Sequence, residues 1–193
     1  MKLSIIGAGV LGEATGIGFS MQGNDVLFYD IDKKKLTALR KRGYSVTEDV
    51  LGAVRDSDVL FICVPTPTVN KRMDFSYVKN ATVKIAKALG EMKKYRVIVV
   101  RSTVLPSTTR CKVIPLLERY SALKAEQDFG VCMNPEFLRA RCALKDFLNP
   151  HKIVIGELDK RSGDTLEKIY KSFEAPIFRT SLDLAEMVKY VAN

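Results

Sequence analysis

The chain has 193 residues, 47% hydrophobic and 27% charged, enough to bury a sizeable core in one large or one-and-a-half small domains. It contains no low-complexity tract, no apolar run long enough to span a membrane, and no signal peptide between Met1-Lys2 and the first apolar strand, which excludes disordered, membrane-spanning and secreted classes. The net charge of +9 suits anionic ligands such as nucleotides, whereas scattered basic residues (Lys33–Lys35, Arg40–Arg42, Lys93-Lys94) without a nucleic-acid motif argue against nucleic acid as partner.

Strand and helix patterns alternate from the start. Leu3–Ile6 is a short apolar run, followed by Gly7-Ala8-Gly9-Val10-Leu11-Gly12 and a helix to about Gln22. In a dinucleotide fingerprint the first glycine permits a tight turn. The second lets the backbone approach a pyrophosphate, and the third packs helix on strand. A helix opening there offers unpaired N–H groups to the phosphates. Asp25–Tyr29 reads as the second strand. Asp30 at its end, 23 positions after Gly7, is placed to accept from the adenosine ribose hydroxyls and to repel a 2′-phosphate. Strand, turn, helix, strand and Asp30 agree on nucleotide binding, with NAD as the cofactor; the lysines at Lys33–Lys35 weaken the preference over NADP a little.

Lys33–Arg42 predicts a second helix, and Val59–Val64 a buried parallel strand. Asp74–Leu89 is amphipathic through Val78, Thr82, Ile85, Ala86 and Leu89, with Gly90 as its stop. Val97–Val100 is the next strand. Ser107–Arg119 is helical around Val113, Leu116 and Leu117, with a kink or break at Pro115. Two strands thus end in polar turn peptides, Val64-Pro65-Thr66-Pro67 and Arg101-Ser102-Thr103-Val104-Leu105-Pro106. At the carboxyl ends of parallel strands Thr66, Ser102 and Thr103 are placed either to bond a ligand or to satisfy backbone groups in the turns.

Gly130–Met133 and Ile153–Ile155 predict further strands, with a helix between Leu166 and Phe173 and a last short strand at Pro176–Phe178. Thr180-x-x-Asp183 resembles a capping box opening a final helix through Leu184, Met187, Val188 and Val191. Between these strands lies Asn134-Pro135-Glu136-Phe137-Leu138, whose proline holds Asn134 extended. A helix starting near Phe137 would place free N–H groups beside the Glu136 carboxylate. That is either an anion-binding end or an ordinary acidic first turn. The alternation as a whole predicts an α/β fold, a doubly wound, mostly parallel sheet of Rossmann type.

Cys63, Cys111, Cys132 and Cys142 have no metal-like spacing, so no metal is expected; they read as reduced, cytoplasmic and mostly buried thiols. His151, the single histidine, reads as a loop residue.

The chain resembles the UDP-glucose/GDP-mannose dehydrogenase family over nearly its whole length. The resemblance rests on GAGVLG, Asp30, VPTP, RSTVLPSTT, NPEFL, the segment opening IVIGELD, and AEMVKYVAN, in the family's order. The wording from GVCMNPEFLRA through IVIGELDKRSGD is closest to the GDP-mannose and UDP-N-acetylmannosamine branches. The resemblance implies oxidation of a UDP- or GDP-sugar C6 alcohol to a uronic acid with two NAD, through a covalent thioester on a cysteine, in polysaccharide biosynthesis. It implies catalytic roles for Glu136, Lys189, Asn193 and Thr103. Substrate contacts would come from Glu136, Phe137, Leu138, Lys189 and Asn193. Cofactor contacts would come from Gly7, Gly9, Val10, Leu11, Gly12, Asp30, Lys35, Val64, Pro65, Thr66, Ser102 and Thr103. Residues 1–180 would form the NAD-binding domain and 181–193 the start of a linking and dimerisation helix, with a homodimer expected of a full-length form.

Three departures stand beside it. The family continues into a dimerisation region, a nucleophilic cysteine peptide and a second nucleotide-binding domain, none of which lies in these 193 residues. The family's second acidic residue, four positions after Glu136, is Ala140 here. The segment around Gly43–Glu48 is short and bypasses a loop-and-helix insertion. The expectation is therefore an NAD-binding half that is inactive alone; a non-catalytic nucleotide-binding or regulatory module of the same fold is the alternative.

Overall fold

The computed structural model describes residues 1–92 and 94–192. The first half runs β1 (Lys2–Ile6), α1 (Val10–Met21), β2 (Asp25–Tyr29), α2 (Lys33–Lys41), β3 (Ser45–Thr47), α3 (Val50–Arg55) and β4 (Val59–Ile62). A small hairpin of β5 (Thr68–Val69) and β6 (Arg72–Met73) precedes α4 (Ser76–Gly90) and β7 (Val97–Val100). A π-helical turn, Thr109–Val113, leads into α5 (Ile114–Ser121), then β8 (Gly130–Met133) and α6 (Ala143–Leu148). The chain continues with β9 (Ile153–Glu157), α7 (Lys160–Tyr170), β10 (Ile177–Ser181) and α8 (Leu182–Ala192).

Eight strands form one sheet in the order β10-β9-β8-β7-β4-β1-β2-β3. All neighbours are parallel except β8 and β9, so β9 and β10 run against the rest. Alternation along β4 shows how both faces are filled. Leu60 and Ile62 join a core with Ala53, Ile85, Leu117 and Ala185, while Val59 and Phe61 join another with Ile17, Leu36, Phe147 and Leu166. Helices α3, α4, α5 and α8 therefore cover one face and α1, α2, α6 and α7 the other. This is the doubly wound arrangement expected from the alternation.

Several expectations change. No helix starts at Phe137: residues 134–139 are irregular, and a 3-10 turn at Ala140–Cys142 precedes α6. The reason is packing. Phe137 reaches one core and its neighbour Leu138 the other, so the two point to opposite sides, as only extended backbone allows. Gly90 is the last residue of α4 and not a left-handed stop. A Cβ there would lie 2.7 Å from the Ser121 carbonyl oxygen, so glycine serves close approach to α5. The capping pair shifts by one residue: Thr180 lies in β10, Ser181 Oγ accepts from the Leu184 N–H at 3.3 Å, and Asp183 pairs with Arg110 at 2.9 Å. Two cysteines, Cys63 and Cys132, are buried, but Cys111 and Cys142 are exposed. Short elements at Ser45–Thr47 and Val50–Arg55 occupy the segment read as an abbreviated loop. No helix is long and apolar enough to cross a membrane among the described residues.

Candidate functional site

The turn between β1 and α1 is built as its glycines require. Gly7 has φ +104°, a conformation that side chains disfavour, and its N–H donates to the Tyr29 carbonyl at 2.8 Å. A Cβ on Gly12 would sit 1.8 Å from the Gly7 carbonyl oxygen, so only glycine lets α1 approach β1 this closely. Gly9 is the N-cap of α1 and contributes no capping side chain, and a Cβ there would meet nothing within 4 Å. The first N–H groups of α1 thus face open space, as a pyrophosphate needs.

Asp30 closes this turn from the end of β2. It is only 7% exposed; one carboxylate oxygen accepts from the Ala8 N–H at 2.6 Å and the other from the Asp32 N–H at 2.8 Å. Lys35 Nζ lies 3.5 Å from it. A cavity of about 930 Å³ opens here, lined by Gly7, Gly9, Val10, Leu11, Asp30 and Lys35 on one side. On the other side it is lined by Val64, Pro65, Thr66, Ser102 and Thr103. Gly12, also expected as a contact, lies behind the turn as a packing residue. The Thr66 hydroxyl donates to the Thr103 carbonyl at 2.7 Å and the Ser102 hydroxyl to the Val64 carbonyl at 2.6 Å, stitching the loops after β4 and β7 together. The cavity's open glycine, its N–H groups and its inward carboxylate suit a dinucleotide.

Sequence reading missed the third wall, from α4. Tyr77, Asn80, Ala81 and Lys84 line the cavity, and Lys84 Nζ donates to the Tyr29 hydroxyl at 3.3 Å. Their i, i+3, i+4, i+7 spacing was the available signal, opposite the apolar face.

One strand further along, Asn134 after β8 donates its N–H to the Val100 carbonyl at 2.9 Å, setting the Glu136 loop beside the Ser102-Thr103 loop. Lys189, on α8 and 53 positions away, donates to the Glu136 carboxylate at 2.8 Å and to its backbone carbonyl at 2.6 Å. The other carboxylate oxygen accepts from the Leu138 N–H at 2.7 Å. Both side chains are nearly closed to solvent, 6% and 13% exposed. Asn193 lies outside the described residues. Arg101, unremarked in the sequence, is buried next to this pair. Its Nε donates to Thr15 Oγ1 at 2.9 Å, and its Nη1 reaches Tyr170 Oη at 3.2 Å and the Asn134 side-chain oxygen.

Two of the cysteines stand apart from thiolate chemistry. Burial pushes the Cys63 thiol, at the wall of the cofactor-side cavity, up to about 12, and burial does the same to Cys132. Cys142 is exposed on the turn before α6, and His151 is an exposed loop residue.

Comparison with known proteins agrees with this geometry. Residues 1–54 and 37–174 match the sequence profile described as UDP-glucose/GDP-mannose dehydrogenase family, NAD binding domain. A GDP-mannose 6-dehydrogenase of Pseudomonas aeruginosa is 42% identical over 214 aligned positions, covering 100% of this chain and 49% of that protein. A UDP-glucose 6-dehydrogenase of Bacillus subtilis is 34% identical, covering 100% of this chain and 45% of that protein. The crystal structure of a ternary complex of GDP-mannose dehydrogenase from Pseudomonas aeruginosa superposes with a TM-score of 0.93 at 41% identity, over 100% of this chain and 49% of that one. The chain therefore spans about half the length of the curated relatives it matches. With the fingerprint, Asp30 and the sheet order in agreement with these matches, the chain belongs to the UDP-glucose/GDP-mannose dehydrogenase family as its NAD-binding domain.

Proposed function

We propose that this chain is the cofactor half of an enzyme that oxidises the C6 alcohol of a UDP- or GDP-sugar to the uronic acid with two NAD. The observation that carries this reading is the buried Glu136–Lys189 pair, one strand along from the cofactor cavity. NAD supplies the hydride acceptor; the residues named here bind and orient. Asp30 and the start of α1 hold the adenosine and pyrophosphate. Loss of hydride from an alcohol and attack of water on a thioester both build negative charge on oxygen. Lys189 is positioned to relieve such charge, and one lost donor of this kind costs about 3 kcal/mol. Glu136, held by Lys189 and the Leu138 N–H, is a base or water positioner for the hydrolysis. Thr103 touches the same region from the adjoining loop, and Asn193 assists Lys189. The backbone at Phe137-Leu138 holds the sugar nucleotide. A longer, dimeric protein would supply the reactive cysteine.

The 193 residues alone are expected to bind NAD and form no uronic acid, since nucleophilic catalysis needs a thiolate and the Cys63 and Cys132 thiols are held protonated. Calorimetry with NAD and with GDP- and UDP-sugars, beside an assay for uronic acid, tests the reading. Failure to bind NAD would overturn it, and acid formation by the chain alone would overturn its second half. A non-catalytic nucleotide-binding module is the other reading, favoured by Ala140 where the family has an acidic residue. It predicts NAD binding with no sugar-nucleotide binding.

A further inference from the structure

Arg101 directly follows β7, and its guanidinium touches three separate parts of the fold. Nε donates to the Thr15 hydroxyl on α1 at 2.9 Å. Nη1 donates to the side-chain oxygen of Asn134 and lies 3.2 Å from the Tyr170 hydroxyl on α7. The same Asn134 oxygen accepts from the Tyr170 hydroxyl at 2.6 Å, while the Asn134 side-chain amide donates to the Val154 carbonyl at 2.8 Å. The Phe147 ring of α6 lies 5.4 Å from the guanidinium carbon. Arg101, Thr15, Asn134 and Tyr170 are all buried, and only neutral oxygens hold the guanidinium among the described residues.

Burying a cation among neutral oxygens is costly, and neutral donors could satisfy Asn134 and Tyr170 without it. What a guanidinium adds is a rigid planar fork, in which one arm cannot move without the other. Here the arms join two places of different use. Thr15 lies one turn after Leu11, directly behind the α1 N–H groups that face the cofactor cavity. Asn134 lies two residues before Glu136, and Pro135 between them has its φ fixed. A restraint applied at the start of α1 therefore has a short, stiff route to the Glu136 loop.

We propose that Arg101 is a positioning residue that couples the cofactor turn to the Glu136 loop. A pyrophosphate seated at the start of α1 steadies Thr15, Arg101 carries that restraint to Asn134, and Glu136 is held in its working place. The inference rests on the reading of Glu136 as base or water positioner and adds that the cofactor sets this residue before substrate is engaged.

The test is hydrogen exchange at the Leu138 amide, which donates to the Glu136 carboxylate, in the 193-residue chain with and without saturating ADP-ribose. ADP-ribose has the adenosine and pyrophosphate of NAD but no nicotinamide, so contact from the nicotinamide cannot mimic the effect. The ligand is expected to slow Leu138 exchange roughly tenfold, inside the usual range for coupled sites. Thr15→Val keeps the side-chain shape, removes the hydroxyl and is expected to leave less than about a twofold slowing; Thr15→Ser should restore it. Tyr170→Phe removes a hydroxyl from the other side of the same cluster and is expected to keep the full response. Arg101→Met should abolish it, and Thr15→Val keeps the test decisive if Arg101→Met does not fold. An unchanged response in Thr15→Val, or an equal loss in Tyr170→Phe, would show general loosening and overturn the proposal. So would slowing by NAD with none by ADP-ribose. The Gly9 and Val10 amides, followed by nuclear magnetic resonance in the same samples, separate the two ideas. Binding there without any change at Leu138 sinks the coupling alone, while absent binding of ADP-ribose and NAD sinks the cofactor reading and the coupling with it.

Discussion

Lys189 and Glu136 meet inside the protein, and removing one partner leaves the other charge buried and unpaired. Lys189→Met is expected to lower stability by about 3 kcal/mol. Glu136→Gln, whose single side-chain oxygen still offers Lys189 an acceptor while the Leu138 N–H loses its own, costs less. The double variant Glu136→Gln/Lys189→Met should recover part of the loss, and a coupling below ~0.5 kcal/mol in urea unfolding would show the pair to be independent. Glu186, three residues before Lys189, titrates in the opposite sense to a paired acid. It is fully buried, with one oxygen accepting from the Thr109 N–H at 2.7 Å and the other unpartnered. Burial raises its carboxyl above the usual 4.5. The folded state therefore binds that proton more tightly than the unfolded chain, so its contribution is fully present below 4.5 and is lost as pH rises through the raised value. Glu186→Gln should stabilise the protein at pH 7 and change little at pH 4, measured by urea unfolding at both. Glu136 and Lys189 were legible because they sit in distinctive peptides. Arg101 was not, since its partners Thr15, Asn134 and Tyr170 lie 86, 33 and 69 positions away and only the fold collects them.

At the scale of elements, α8 ties two loops at once: Glu186 holds the π-turn that follows the Ser102-Thr103 loop, and Lys189 holds the Glu136 loop. The break expected at Pro115 is resolved by that π-turn. It ends at Val113, so Pro115 falls in the first turn of α5, where a missing N–H has no partner to lose. The long strands and helices followed from periodicity. The elements that did not were β3, α3, α6 and the β5–β6 hairpin, each of six residues or fewer and too short to show a period. The Glu136 loop failed for a different reason: the placement of Phe137 and Leu138 in opposite cores is a tertiary fact that overrides a local helix signal. The β1–α1 turn was fully legible and is the least tolerant place to alter. Gly12→Ala forces backbone apart and is expected to cost on the order of 2–3 kcal/mol and to abolish NAD binding in calorimetry. Retained NAD affinity would mean that the turn can move without consequence.

Over the whole molecule, the alignment with the Pseudomonas aeruginosa relative uses 214 positions for 193 residues, so at least 21 of that relative's positions have no counterpart here. The two stretches matched to the family profile overlap at 37–54. The region of overlap contains β3, an edge strand paired with β2 alone in the sheet. The opposite end of the molecule carries a different feature, an apolar stripe on α8. Leu184, Met187 and Val191 are 53%, 45% and 80% exposed at helical spacing, while Val188, expected in the stripe, turns inward to the core. Three such residues on one helix face form a patch of the kind that associates. The 193-residue chain is therefore expected to self-associate with rising concentration in sedimentation velocity. Leu184→Glu with Val191→Glu should hold it monomeric across about a hundredfold range while changing unfolding free energy by less than ~0.5 kcal/mol, since both side chains are exposed. A parent chain that stays monomeric over the same range would remove α8 as an association surface and leave its exposed residues as ordinary surface side chains.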